Sequence, residues 1–337
     1  MHLPRLLLPL LLAAAALPAA RAQKAVRINL GTLAPRNSSY HQALLAMGEA
    51  WRTASGGKVR LVIYADGTQG TEADMVRLMR IGSLQAGLLT STGLETIEST
   101  VAGLQKLPFV FHDFEEFDHI MQVMSPRLEQ KLEEKGFHVL FWLDAGWLRL
   151  FSTEPALMPA DFARLKFFVW ADPKQAQILR SIGQDPVDLE SNDLPTALQT
   201  GLVTAMPAPP IFVLATQLDR RAKYMLRINY APLVGAAVVT TAAWDKIPPE
   251  LREALTEAAH QTGAEIRSRG RAESDEAVAA MQKRGLMVRE LTPEARAAWQ
   301  ALAEKAYPQI RGGLMPADIF DEVQRELTAF RAQRARP

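Results

Sequence analysis

Cysteine is absent from all 337 residues. That excludes a disulfide framework, a thiol nucleophile and a lipid anchor built on an N-terminal cysteine. Histidine is scarce, with six scattered copies, and aromatic residues make up only 7%. No G-x-S-x-G, H-E-x-x-H, Walker A or G-x-G-x-x-G pattern occurs, so the common nucleophilic, zinc-hydrolase and nucleotide-binding chemistries have no foothold. A formal net charge of +1 gives no basic excess of the kind that tracks nucleic acid. Beyond the first twenty residues, no apolar run is long enough to span a bilayer.

The N-terminus is the most patterned part of what is present. Met1 to Arg5 is a short positive region, Leu6 to Ala20 an apolar run broken by Pro9 and Pro18, and Ala20-Arg21-Ala22 a small-x-small site. This is the pattern of a secretory leader, so residues 1–22 are expected to be removed and the mature chain to start at Gln23 in the periplasm. The run is shorter than the ~20 residues a spanning helix requires. Arg5 and Arg21 leave with the leader, and the mature chain stays near neutrality. With 48% hydrophobic residues it is long enough to bury two domain cores, which a chain without disulfides needs.

Periodicity then alternates between two and 3.6 residues. Val26–Leu30, Lys58–Tyr64 and Gln85–Leu89 read as strands, and Ser39–Thr53 and Thr71–Ile81 as amphipathic helices between them. The order repeats after residue 130, with strands at Phe137–Leu143, Leu165–Trp170 and Leu202–Met206 and helices at Pro173–Ile182 and Asp193–Gln199. Two βα blocks predict two α/β domains around largely parallel sheet. Glu250–Arg284 reads as one helix, weakened only by Gly263 and Gly270, and is too long for a single small domain. Thr292–Ile310 and Ala317–Arg331 add two more helices.

Three clusters invite chemistry, and each has a structural reading that explains it better. His112 to His119 is rich in metal-ligand types, but Asp113 followed by Glu116 is a helix-capping pattern and predicts no metal site. Arg267 to Arg271 reads as a solvated charged face flanked by Glu265 and Glu273. Trp244 to Glu250 reads as a turn into a helix with Pro249 near its first position. Trp142, Trp147, Phe167 and Trp299 are expected in the core. No nucleophile, base and orienting group can be assembled, so neither an enzyme nor a cofactor is expected.

Taken in order, four segments carry a resemblance: Leu107-Pro108-Phe109-Val110-Phe111, Asp161 to Lys166, Thr196 to Val203, and Trp244 to Leu251. Over nearly the whole mature chain they resemble the extracytoplasmic solute-binding proteins of TRAP (tripartite ATP-independent periplasmic) transporters, the DctP family. The resemblance implies an α/β two-lobed clamp closing on a solute, with strands crossing between lobes and a long helix contacting both. It implies lobe I at 24–147 plus 236–282 and lobe II at 148–235 plus 283–337. Its partners would be a small organic solute and the small and large TRAP membrane subunits, with no nucleic acid.

The departures from the family concern the solute. Where members usually carry a carboxylate-binding arginine, in the strand Leu165–Val169, this chain has Phe168. A second arginine position corresponds to Leu148, with Arg149 as its neighbour, and a third polar contact to Ala208. The resemblance also implies Thr90, Gly93, Trp170, Ser191, Pro209 and Phe212 at the cleft. A buried carboxylate without a partner is costly, whereas apolar surface gains about 25 cal/mol per Å² removed from water. The expectation is therefore a hydrophobic or amphipathic solute, with Phe168, Leu148 and Ala208 lining one interlobe cavity. Two alternatives stay open: a bulge brings Arg149 into the site and restores carboxylate binding, or Phe168 packs between lobes and the cleft lies elsewhere. A sensory protein presenting its ligand to a receptor is the rival role.

Overall fold

A computed structural model describes residues 25–170 and 172–335; the expected leader lies outside the described residues. The first half runs β1 (Val26–Thr32), α1 (Ser39–Ala54), β2 (Val59–Tyr64), α2 (Glu72–Arg80), β3 (Ala86–Thr90), α3 (Ser91–Ile97) and α4 (Phe114–Glu133). A long strand, β4 (Phe137–Ser152), follows, then α5 (Pro159–Phe162), β5 (Lys166–Trp170), α6 (Pro173–Ser181), β6 (Asp185–Leu189), α7 (Leu194–Thr200), β7 (Ala205–Ala208) and α8 (Pro210–Ala215). A second long strand, β8 (Tyr224–Thr240), leads into α9 (Thr241–Trp244), α10 (Pro249–Gln282), β9 (Met287–Glu290), α11 (Pro293–Ile310) and α12 (Ala317–Arg334).

Among the described residues the strands form one nine-stranded sheet, ordered β2-β1-β3-β8-β4-β7-β5-β6 with β9 beside β8. The wings β2-β1-β3 and β7-β5-β6 are parallel, as expected of βα units. The centre is not. β8 runs antiparallel to β3 and β4, and β4 antiparallel to β7, so the sheet is mixed rather than largely parallel. The reason is that β4 and β8 are one antiparallel pair long enough to serve both lobes. Their register slips between Asp144 and Trp147, where Gly146 takes a left-handed φ of 83°, and again between Leu148 and Leu150.

Each wing is covered on both faces. In lobe I, α1, α9 and the first half of α10 pack on one face around Leu44, Trp51, Phe141 and Leu255, while α2 to α4 cover the other. In lobe II, α5 and α11 cover one face around Phe162, Phe167 and Trp299, and α7, α8 and the end of α10 the other around Phe151 and Met206.

The 34-residue α10 is continuous and, at 1.5 Å per residue, about 50 Å long. It buries Leu255 and Ile266 in lobe I and Val278 and Met281 in lobe II. Gly263 and Gly270, expected only to weaken it, are buried contact points. A Cβ on Gly263 would lie 2.7 Å from that of Phe141, and one on Gly270 2.5 Å from the Tyr40 hydroxyl. Large side chains there would push the helix off β4 and α1, which outweighs the cost of about 1 kcal/mol per helical glycine.

Helix α12, which the family resemblance assigned to lobe II, packs against α4, contributing Ile319, Val323 and Leu327 to the same core and accepting Arg127 at Asp318 and Glu322. A Gly-Gly turn at 312–313 turns the chain back from α11, so the two last helices serve different lobes. Arg271 is not on a solvated face: its side chain is 21% exposed and bridges Asp118 and Asp144. The capping reading of the histidine-rich segment holds, with Asp113 accepting from Glu116 N at 2.9 Å, and no metal-binding group of three or more side chains occurs among the described residues.

Candidate functional site

Parallel strands direct their carboxyl ends to one edge, and in open α/β sheets that edge is where ligands bind. Here the edges of the two wings face one another: β1 and β3 end at Thr32 and Thr90, and β5, β6 and β7 at Trp170, Leu189 and Ala208. β4 and β8 cross between them.

The lobe I wall is polar. Thr90 caps α3, its side chain accepting from Thr92 N, and its own N–H and hydroxyl donate to Glu72 at 2.7 and 2.6 Å. Gly93 N donates to the same carboxylate at 2.9 Å. Burial pushes the Glu72 carboxyl up from its ordinary value, and these three bonds only partly offset that. Gly93 is needed there, since a Cβ would lie 2.9 Å from that of Glu72. Two of the expected residues therefore form one unit with a third, Glu72, which no sequence motif marked.

The lobe II wall divides the remaining residues. Phe168 and Ala208 are fully buried on the face shared with α7, α8 and α10, in a core with Phe151 and Met206. Leu148 is equally buried on the opposite face with Phe162 and Tyr230. These three do not line one cavity: strand alternation and the bulged register send Leu148 away from the other two. Trp170 is half-buried, edge-on to Phe168 at 5.2 Å between ring centres. Phe212 at the start of α8 and Ser191 after β6 are also half-buried, and Pro209 is buried.

Arg149 lies in register with Ala208 across β4 and β7. It faces the bulged part of β8, and its Nη1 donates to the side-chain carbonyl of Asn229, whose amide in turn donates to the His112 carbonyl at 2.8 Å. No carboxylate of the described residues is within ion-pairing distance of it. Burial pulls its pKa down to about 10, helped by the like charge of Arg227, while Asp275 and Glu290 act weakly the other way. A guanidinium carries five N–H donors, and one bond to a neutral amide leaves most of that capacity unused.

Lys106 is a cation at the lobe junction that the sequence did not mark. It is 8% exposed, with Nζ 2.6 and 2.7 Å from the Glu95 carboxylate on α3. It is also 2.6 Å from Asp172 Oδ2 at the head of α6.

Comparison with known proteins agrees with this architecture. Residues 30–312 match the family described as bacterial extracellular solute-binding protein, family 7 (DctP). The C4-dicarboxylate-binding periplasmic protein DctP of Rhodobacter capsulatus is 27% identical over 206 residues, 60% of this chain and 62% of that one. The 2,3-diketo-L-gulonate-binding periplasmic protein YiaO of Escherichia coli is 24% identical over 240 residues, 70% and 72% of the two chains. Among solved structures, a TRAP periplasmic solute-binding protein from Desulfovibrio salexigens with bound orotic acid superposes with a TM-score of 0.82. It is 17% identical, and the match covers 90% of this chain and 99% of that one. With the match running through both wings and both crossing strands, this chain belongs to the DctP family of bacterial extracellular solute-binding proteins and has the two-lobed clamp fold.

Proposed function

We propose that this protein captures an amphipathic organic acid between its lobes and delivers it to the membrane subunits of a TRAP-type carrier. The observation that carries the reading is Arg149, a half-buried guanidinium whose one side-chain partner among the described residues is a neutral amide. A solute carboxylate would supply the missing charge, and charge-assisted bonds to a guanidinium contribute about 1.5–3 kcal/mol. The half-buried rings of Trp170 at the end of β5 and Phe212 at the start of α8 offer apolar surface for the rest of the molecule.

A wholly uncharged solute gains less support. The substitutions that suggested it, Phe168 and Ala208, are sealed in the lobe II core. The named relative from E. coli binds a sugar acid by its description, and the D. salexigens structure holds orotic acid, which fits an acid-binding reading. Closure on the solute would create the surface that the membrane subunits distinguish from the empty form. The leader would direct export and be removed before Gln23 as the chain reaches the periplasm.

Mass spectrometry of material extracted from protein purified from the periplasm tests the solute, and the intact mass tests the leader. An acid with an apolar portion is expected, bound at least tenfold more weakly by Arg149→Met. A bound solute without an acidic group, held equally well by that variant, would overturn the reading.

A further inference from the structure

We propose that Lys106 and Asp172 form a latch between the lobes that favours the closed clamp before any solute arrives. Lys106 ends the 3-10 turn Ser99–Lys106 of lobe I, and Asp172 is the residue before α6 of lobe II. Their charged atoms are 2.6 Å apart, with 9% and 12% of the side chains exposed. The contact is an ion pair by distance without hydrogen-bond alignment, so its contribution is Coulombic.

The two acids on this lysine have different duties. Glu95 belongs to the same lobe, and its two hydrogen bonds survive any rigid-body opening. Asp172 belongs to the other lobe, and opening must break its contact. Both ends are held in advance. Glu95 fixes the ammonium, and Asp172 uses its other oxygen, Oδ1, to cap α6, accepting from Lys174 N at 3.1 Å and Gln175 N at 3.0 Å. Little side-chain freedom is therefore lost when the pair forms, which removes a main reason why exposed ion pairs contribute little. Burial also places the pair beyond most salt screening.

A latch of this kind alters how solute binding is read. If the empty clamp already spends time closed, solute has less conformational work to do, and the contrast between loaded and empty forms narrows. The strength of the pair thus tunes affinity against discrimination. The proposal rests on the clamp reading of the fold and not on the solute's identity.

The absence of native cysteine makes the test direct. Ile81→Cys on lobe I and Leu202→Cys on lobe II, both exposed, accept spin labels for a pulsed distance measurement on protein dialysed free of solute. Asp172→Asn removes the charge while keeping an oxygen to cap α6, so the helix is preserved. This variant and Lys106→Met are each expected to shift the open-to-closed ratio roughly tenfold toward open. Glu95→Gln is expected to leave the lobes closed. An unchanged distance distribution in folded Asp172→Asn would overturn the latch, as would opening by Glu95→Gln equal to that of Asp172→Asn. Because no solute is used, either result leaves the acid-binding reading to its own test.

Discussion

Arg271 and Arg149 both bring a guanidinium to the region where the chain crosses between lobes, and their surroundings differ completely. Arg271, on α10, donates to Asp144 at 3.1 and 2.8 Å and to Asp118 at 2.9 Å, and lies 3.9 Å above the Phe114 ring. Burial works against its charge, but the bonds to Asp118 and Asp144 hold its pKa above the ordinary value. Arg149 has Asn229 and no acid, and its pKa moves the other way. A buried charge fully provided with partners fixes geometry, here the spine helix against β4. A half-buried charge left short of protein partners is free to meet something that comes and goes.

A third guanidinium would extend the comparison and give the largest effect. Phe168→Arg, the residue that the family resemblance implies here, puts a charge into a fully buried site packed against Trp170. Loss of ring packing alone costs about 3–5 kcal/mol, and the unpaired charge adds to it. Failure to fold, or a urea midpoint far below wild type, is expected. A stable variant with new affinity for small carboxylates would show that Phe168 borders the cleft after all.

Arg271→Met comes next. It strands Asp144, which is fully buried and keeps only the Gly146 N–H as a donor at 3.2 Å. Breaking a buried pair on one side costs about 3–5 kcal/mol. Chemical denaturation should show it, and a loss below about 1 kcal/mol would remove the contrast between the two arginines.

The fold was legible in the sequence because its signals are local. The wing strands and their helices follow hydrophobic period and caps; Thr71, for example, forms the reciprocal capping pair with Asp74 that starts α2. The long helix was equally plain from its unbroken pattern. The crossing strands were only half visible: Phe137–Leu143 was expected, but β4 runs on to Ser152 because β8 pairs with it far along the chain. The destination of α12 depended on which distant face was left uncovered, which no window of sequence contains. The cleft was less legible still. Arg149 stands opposite a register shift in β8 that no residue type announces, and Glu72, Lys106 and Asn229 matter only through partners 11 or more residues away.

Arg149→Met should be the mirror image of Arg271→Met. Removing a charge that has only a neutral partner should change stability by no more than about 1 kcal/mol, since one modest hydrogen bond is exchanged for relief from burial. Its effect should appear in solute affinity, lowered about 10- to 100-fold, the size of one charge-assisted contact. Calorimetry and denaturation on the same samples separate the two. A variant that unfolds as readily as Arg271→Met would make Arg149 a structural residue.

The smallest effect concerns the acid of the lobe I wall. Glu72 is buried with three donors from Thr90 and Gly93 and, among the described residues, no cation paired with it, so it resembles Arg149 with the sign reversed. Its carboxyl is raised, so the native state takes up its proton at higher pH than the unfolded chain does. Between the raised value and the ordinary one the native state binds more protons, and stability linked to this group increases as pH falls through that window. Glu72→Gln cannot take part. At neutral pH the variant should lie within about 1 kcal/mol of wild type, because an amide oxygen still accepts from Thr90 while the charge penalty disappears. On acidification wild type should gain relative to Glu72→Gln, measured as the difference between paired urea titrations. A difference that stays flat, or one that widens in favour of the variant, would mean that the donors from Thr90 and Gly93 outweigh burial and that the carboxylate is ionised at no cost.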